Sequence, residues 1–151
     1  MKERKAFAYV RIAFGFVWVI DAWFKWQPAF QNGFVGQVSM MISGQPAWVA
    51  AWIQWWVNLV STNPHLFAVI IALAETAIAI GLIFGFYTRA AILGGVILSL
   101  VIWAVPEGFG GPYVAGTTDI GTGIIYAFVL VALWIGESWQ WYSLDDYFRR
   151  K

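Results

Sequence analysis

The stretch at residues 64–86, PHLFAVIIALAETAIAIGLIFGF, is an almost unbroken apolar run in which the one acidic residue is Glu75. A helix needs about 20 apolar residues to cross the hydrocarbon core of a bilayer, so this stretch predicts a transmembrane helix. Asn63 before Pro64 is a typical helix start, with the amide as N-cap and proline at the first helical position. The predicted helix therefore carries a carboxylate near the bilayer middle, where ionisable groups are costly and usually functional.

Three further apolar stretches, at residues 6–26, 89–105 and 119–136, predict three more spans. Hydrophobic residues make up 61% of the chain and charged residues 11%, whereas roughly a quarter of the residues in an ordinary soluble domain are charged. Continuous apolar runs favour helices over the alternating strands of a membrane barrel. We therefore expect an all-α integral membrane protein, a four-helix bundle that forms a single membrane domain over residues 1–151.

The connection between the first two spans has an unusual composition, since no Asp, Glu, Lys or Arg occurs from Trp26 to Ala74. Within it Trp48, Trp52 and Trp55 recur at helical spacing. This pattern predicts an interfacial, tryptophan-rich helix over residues 46–60 that lies along the outer leaflet. A second short helix is expected around residues 30–41.

The basic residues are distributed unevenly between the two sides of the four predicted spans. One side carries Lys2, Arg4, Lys5, Arg89, Arg149, Arg150 and Lys151. Only Lys25 lies on the other side. The positive-inside rule therefore predicts a multi-pass protein of the cell membrane with both termini in the cytoplasm. Because Arg11 interrupts the first apolar run, we expect that run to be retained as a span and not removed as a signal peptide.

The chain contains no cysteine and a single histidine, His65. Disulfides, thiol redox chemistry, iron–sulfur ligation and cysteine-bound zinc are thereby excluded, and so is a haem held by two histidines of this chain. We expect no haem, iron–sulfur cluster or metal ion in this chain. Any electron transfer must use a bound small molecule or the cofactor of a partner.

Ionisable residues of the first span share one helical face. Arg11, Asp21 and Lys25 recur there at helical spacing together with Phe14 and Trp18, so this face is expected to look inward. In the second span Glu75 shares a face with small residues, which also points it into a helix contact. One interpretation makes Arg11 and Glu75 a structural ion pair that locks the two helices. The other makes them catalytic, with Glu75 exchanging protons with a bound quinone.

A second group of polar residues is predicted to meet at the outer ends of the spans. This outer mouth consists of Lys25, His65, Glu107, Tyr113 and Asp119. Lys25, paired with Asp21 at the preceding turn, and two helix amino termini would favour an anionic substrate there. Glu107 and Asp119 would oppose it. As alternatives, Asp119 acts only as an acid in the first turn of the last span, and His65 only as an interfacial residue.

Several stretches together resemble the DoxX superfamily. They are YVRIAFGFVWVIDAWFKW at 9–26, NPHLFAVIIALAETAIAIGLIFGFYTRAA at 63–91 and GGPYVAGTTDIGTGIIYA at 110–127. The third resembles the DoxD type more specifically, the small membrane subunit of thiosulfate:quinone oxidoreductase. The resemblance implies a four-helix subunit that works with a second subunit, oxidising thiosulfate to tetrathionate and passing the electrons to quinone.

Two functions of different classes follow from these observations. The first is a membrane subunit of a quinone-reducing oxidoreductase, which binds the sulfur anion at the outer mouth and quinone near Glu75. The second is a non-catalytic accessory or scaffold subunit of a larger respiratory membrane complex, which would explain the missing redox groups more simply. A small transporter or lipid-handling protein is a third interpretation, which four spans without broken-helix repeats make less attractive.

Overall fold

The structure is a computed structural model that describes residues 2–117 and 119–150. Within these residues seven α-helices follow one another, with three short 3-10 turns at Met40–Ile42, Gly108–Gly110 and Ser138–Gln140 and no strand. The helices are α1 Lys2–Lys25, α2 Pro28–Ser39, α3 Ala47–Val60, α4 Pro64–Phe84, α5 Thr88–Ala104, α6 Thr122–Ile135 and α7 Leu144–Arg149. The predicted all-helical fold is confirmed.

The four predicted spans correspond to α1, α4, α5 and α6. Among the described helices, two contain 21-residue segments long and apolar enough to cross a membrane, Lys5–Lys25 and Pro64–Phe84. Helices α5 and α6 have 17 and 14 residues, which is roughly 26 Å and 21 Å at 1.5 Å per residue, less than the ~30 Å hydrocarbon core. The helices are therefore where the sequence places them, while the four-span arrangement stays a prediction.

Each of these four helices exposes large apolar side chains on its outer face. The exposed fraction is 57% for Phe16 on α1, 54% for Leu73 on α4, 57% for Ile97 on α5 and 65% for Phe128 on α6. A water-soluble helix of this composition would bury such residues against a core. The bundle thus presents an apolar belt, as expected of a membrane protein facing lipid.

Small residues allow the helices to pack closely in pairs. A Cβ atom on Gly15 of α1 would lie 2.7 Å from Ile83 Cγ1 of α4, and a Cβ on Gly123 of α6 would lie 2.6 Å from the Ser99 carbonyl oxygen of α5. A shared apolar core joins the two pairs. Its buried members include Trp18, Ile78, Leu82, Ile92, Leu130 and Leu133.

The connection between α1 and α4 folds as helices, as predicted. Helix α3 buries an aliphatic face with Val49, Ile53 and Val57 and leaves Trp48 and Trp55 exposed. Its buried face packs with Val38 of α2 and with the carboxyl end of α5 in a second apolar cluster. The position of α3 at a membrane surface stays a prediction.

The amino terminus of α1 and the chain after α6 lie at one end of the bundle. Lys5 Nζ lies 5.0 Å from the Trp141 ring centroid, and the Arg89 guanidinium lies 4.7 Å from that of Trp139. Lys5 and Arg89 therefore lie at the same end of the bundle, as the sequence predicts for the basic residues. The side chains of Lys2, Arg4 and Lys151 lie outside the described part of the structure. Which side of the membrane this end faces stays a prediction.

Candidate functional site

A cavity of about 730 Å³ lies between the helices, with its wall drawn from α1 to α6. Much of the wall is aromatic, contributed by Trp18, Phe24, Phe30, Phe34, Trp56, Phe67 and Tyr126. Four charged residues also line it, namely Asp21, Lys25, Glu75 and Glu107. The volume is in the range of sites for small organic ligands, which are mostly apolar with a few well-placed polar groups.

Glu75 is the most deeply buried acid of the cavity wall, with 1% of its surface exposed. Helix α4 places it about one turn from each of the small residues Ala72 and Ala79, which lets neighbouring helices approach and close over it. Lys25 at the carboxyl end of α1 reaches it, and the Lys25 Nζ to Glu75 Oε1 distance is 3.5 Å. The other carboxylate oxygen, Oε2, is buried and has no hydrogen-bond partner in the described structure.

Three further buried polar atoms on the cavity-lining residues also lack a protein partner within the described chain. They are Trp18 Nε1, Trp56 Nε1 and Ser99 Oγ. A buried polar group without a partner costs free energy, so such groups are uncommon unless a ligand or water completes them. The cavity therefore offers indole and hydroxyl donors beside a carboxylate, a set that suits a ligand with carbonyl or hydroxyl oxygens.

Asp21 and Tyr126 connect α1 to α6 across the cavity. The Tyr126 side chain and the Asp21 carboxylate both line the cavity and interact electrostatically. Tyr126 also packs edge-on against Trp18, with 5.7 Å between the ring centroids. The inward face predicted for α1 is thus confirmed for Asp21, Trp18 and Lys25, because all three line the cavity.

Glu107 is a helix cap, a role that the sequence analysis missed. Its carboxylate accepts hydrogen bonds from the backbone N–H groups of Thr122 and Gly123 at the start of α6 and from the Thr122 hydroxyl. The positive end of a helix dipole favours a carboxylate at this place. Only the folded chain reveals this contact, since Glu107 precedes α6 by fifteen residues.

The charges of the wall do not favour a dianion inside the cavity. Lys25 is the only basic residue among the lining side chains, and it is paired with Glu75. Asp21 and Glu107 add two more carboxylates. A neutral ligand fits this balance better than a doubly charged anion.

The predicted Arg11–Glu75 pair is wrong. Arg11 is completely buried, but its guanidinium donates to the carbonyl oxygens of Ser138 at 3.2 Å and Tyr142 at 2.6 Å. It does not line the cavity. Arg11 and Lys25 share one face of α1 but lie far apart along the helix. Lys25, at the carboxyl end of α1, is the cation that contacts Glu75. Arg11 instead anchors the segment between α6 and α7.

The outer mouth is only partly assembled. Of its five predicted members, Lys25 and Glu107 line the cavity, whereas His65, Tyr113 and Asp119 do not. His65 is exposed in the first turn of α4. The Tyr113 hydroxyl donates to the Phe109 carbonyl oxygen. Asp119 precedes α6, and its carboxylate accepts a hydrogen bond from Gly121 N at 2.8 Å. Its predicted place within the first turn of the last span is therefore wrong. Glu107 stabilises that helix end instead.

Ser99 of α5 is a residue of the cavity wall that the sequence analysis does not single out. It packs against α6, since Gly123 approaches its carbonyl oxygen. Its hydroxyl, however, is one of the unpartnered groups of the cavity wall. The available signal was a lone hydroxyl in the otherwise apolar run at residues 90–105. No group of three or more His, Asp or Glu residues in the described chain is arranged to hold a metal ion.

Comparison with known protein families identifies one match, in which the model of the DoxX family covers residues 6–107. The matched region contains α1 from residue 6 onward and all of α2 to α5, and therefore Lys25, Glu75 and Ser99. Neither the curated proteins nor the solved structures contain a significant match to this chain.

Proposed function

This chain belongs to the DoxX family of membrane proteins, which includes subunits of quinone oxidoreductases, and on that premise we propose that its cavity binds a quinone. The chain would then be the membrane subunit of a quinone-reducing oxidoreductase. We further propose that it crosses the cell membrane several times with both termini in the cytoplasm, as the basic residues favour.

The observation that carries this proposal is the set of unpartnered polar atoms around one aromatic cavity. A quinone has a flat apolar ring and two carbonyl oxygens that accept hydrogen bonds. Trp18 Nε1 and Ser99 Oγ are buried donors without partners, and both residues line the cavity. The aromatic wall would contact the ring, while the two donors would bind its carbonyl oxygens.

Glu75 is the residue proposed to exchange protons with the ligand. Reduction of a quinone to a quinol consumes two electrons and two protons. Glu75 Oε2 is buried and unpartnered on a residue that lines the cavity, so it is available to a ligand oxygen there. General acid catalysis requires this kind of hydrogen-bonding reach.

Thiosulfate is the electron donor to which the DoxD resemblance points. Coupling two thiosulfates to tetrathionate releases two electrons, which balances the reduction of one quinone. Since the cavity wall carries three carboxylates and one ammonium group, we propose that the sulfur anion reacts outside the cavity. A second membrane-associated subunit or a larger respiratory complex would supply that site.

The proposal is tested by equilibrium binding of a short-chain ubiquinone to the full chain in lipid nanodiscs, followed by quenching of tryptophan fluorescence. Saturable quenching is expected in the wild type. Loss of one hydrogen bond corresponds to about 0.5–1.5 kcal/mol, so Ser99→Ala should weaken binding by roughly 2- to 12-fold. Glu75→Gln should bind the ligand but abolish quinone reduction when the co-purifying donor subunits and thiosulfate are added.

The matched control is Ser61→Ala, because Ser61 is exposed at the end of α3 and does not line the cavity. Its quinone affinity should equal that of the wild type. Absence of saturable quenching in the wild type would contradict quinone binding. If such an inert chain still co-purified with an oxidase, the scaffold function would replace the enzymatic one.

A further inference from the structure

We infer that Lys25 carries protons from the aqueous surface to Glu75, so that the quinone site has a proton entry route at the carboxyl end of α1. This inference rests on the proposed function and extends it, because it assigns to Lys25 the supply of protons and not the binding of an anion. Lys25 thus acts on the ligand indirectly, by passing protons to Glu75.

The two oxygens of the Glu75 carboxylate have different surroundings. Oε1 lies 3.5 Å from Lys25 Nζ, whereas Oε2 has no hydrogen-bond partner in the described chain. A carboxylate that receives a proton at one oxygen and delivers it from the other needs this asymmetry. The Lys25 side of Glu75 is the supply side, and Oε2 is the delivery side.

Lys25 also connects two environments that differ in access to water. Its side chain is 24% exposed, while that of Glu75 is 2% exposed. It is the last residue of α1 and directly precedes the turn into α2, a position expected at a membrane surface. A proton that reaches the Lys25 ammonium group from solvent therefore needs one further transfer to arrive at a buried acid.

The surroundings hold Lys25 in place. The ammonium group lies 5.2 Å from the centroid of the Phe30 ring, and Gln31 Nε2 donates to the Lys25 carbonyl oxygen at 2.7 Å. The other ionisable groups near the Glu75 carboxylate are Asp21 on α1 and Tyr126 on α6, which interact with each other. Neither is a cation, so Lys25 is the basic residue that faces Glu75 among the residues lining the cavity.

The proton transfers balance in the following order. The Lys25 ammonium gives one proton to the Glu75 carboxylate, leaving a neutral amine and a neutral carboxylic acid. Rotation of the protonated Glu75 carboxyl group turns that proton toward the cavity, where it passes to a ligand oxygen, and the amine recovers a proton from bulk water. Two such cycles supply the two protons of one quinone, while both electrons come from the reduced donor of the proposed complex.

Lys25→Arg separates proton relay from simple charge pairing. Arginine keeps the positive charge beside Glu75, but its guanidinium does not release a proton in proteins. If Lys25 only stabilises the charge of Glu75, arginine replaces it. If Lys25 relays protons, arginine blocks the route as completely as methionine does.

The experiment follows protonation of Glu75 by time-resolved infrared spectroscopy after a pH jump, using the full chain in nanodiscs. The Glu75 signal is identified by its loss in Glu75→Gln. Because a positioned proton donor contributes roughly 10²–10⁴-fold, we expect Lys25→Arg and Lys25→Met to slow the Glu75 response at least about tenfold. The control is Lys5→Met, at the opposite end of α1, which should leave the rate unchanged.

A wild-type response rate in Lys25→Arg would overturn the relay and leave Lys25 as a charge partner. Quinone binding, measured on the same preparations, reports separately on the proposed function. If the wild type binds no quinone but Lys25→Arg still slows the Glu75 response, the proposed function fails and the relay stands. If the wild type binds quinone and Lys25→Arg responds normally, the relay fails and the proposed function stands.

Discussion

Lys25 Nζ lies 3.5 Å from Glu75 Oε1 and joins the end of α1 to the middle of α4. The inward-facing ionisable groups of α1 and α4 thus form two sets. Lys25 and Glu75 belong to the cavity wall, whereas Arg11 is used by the chain after α6. We propose that the first set serves ligand binding and the second folding, so mutations should separate them.

Arg11→Met should destabilise the protein without weakening quinone binding. The substitution removes the donors to the Ser138 and Tyr142 carbonyl oxygens. The buried Ser138 acceptor loses its partner at a cost of about 1–3 kcal/mol, and the part-buried Tyr142 acceptor adds about 1 kcal/mol, so we expect the free energy of unfolding to fall by roughly 2–4 kcal/mol. Thermal unfolding in nanodiscs measures the loss, and proteolysis should show earlier cleavage within residues 137–150.

Arg11→Lys is the matched variant for that experiment. Lysine keeps the charge but cannot reproduce the two directed bonds of a guanidinium, so most of the loss should remain. Quinone affinity measured well below the unfolding temperature should stay within about twofold of the wild type, because truncations distant from a site are usually near neutral there. Lost quinone binding in a fully stable Arg11→Met protein would place Arg11 in the site after all.

Glu107→Ala should weaken the start of α6. The carboxylate accepts from Thr122 and Gly123, and loss of a helix cap typically costs about 0.5–2 kcal/mol. Asp119→Ala is the control, since within the described residues the exposed Asp119 carboxylate makes a local bond to Gly121 N and no hydrogen bond with another helix. Thermal unfolding should show a clear loss for Glu107→Ala and a loss below about 0.5 kcal/mol for Asp119→Ala. Equal losses would contradict the capping role.

Gly123→Ala should separate α5 from α6. The new Cβ would lie 2.6 Å from the Ser99 carbonyl oxygen and 2.8 Å from Trp103 N, and both are backbone atoms that cannot move alone. Such overpacking typically costs about 1–3 kcal/mol. Gly94→Ala on α5 is the control because a Cβ there meets nothing within 4 Å. It should leave stability unchanged or raise it, whereas equal melting temperatures for both variants would contradict the close approach of α5 and α6.

Helical periodicity was sufficient to predict which faces are buried. The spacing of Trp18, Asp21 and Lys25 placed them on one inward face, and the structure places all three in one cavity wall. The small residues around Glu75 predicted its burial, and the structure leaves 1% of its surface exposed. Periodicity within a helix is a local property, so it can be read without knowledge of the neighbouring helices.

The pairing of ionisable groups between helices could not be predicted in the same way. Arg11 and Lys25 share a face of α1, and sequence alone does not state which of them is level with Glu75. The partners of Arg11 are the backbone carbonyl groups of Ser138 and Tyr142. Every residue has such a group, so the residue type does not indicate which one accepts a hydrogen bond. Glu107 likewise caps a helix fifteen residues later. Such contacts depend on the arrangement of the whole chain.

The helical structure of α7 should depend on pH through Asp146, which lies outside the predicted spans and pairs with Arg149 and Arg150 one turn further along the chain. Its hydrogen bond with Arg149 and its pairing with Arg150 hold the pKa of Asp146 below the ordinary value. The unfolded-state pKa of an aspartate is about 3.9, so this stabilisation is present above about pH 4 and is lost as the pH falls through the lower folded-state pKa. Protease cleavage within residues 143–150 should increase in that range, and Asp146→Asn should remove the pH dependence. A wild type and Asp146→Asn with identical pH profiles would contradict this account.

If the Lys25–Glu75 pair serves the proposed site and not the fold, it should lower stability relative to an apolar replacement. Lys25→Met alone leaves Glu75 as an uncompensated buried acid, and breaking a buried pair on one side typically costs about 3–5 kcal/mol. Lys25→Met combined with Glu75→Leu removes both charges, and such replacements are often neutral or stabilising by about 1–4 kcal/mol. Thermal unfolding of the two variants should therefore place the double variant at or above the wild type. The same double variant should show no proton transfer to the quinone. If instead it were the less stable of the two variants, the pair would be a structural element of the bundle, and the assignment of this cavity as a functional site would lose its energetic support.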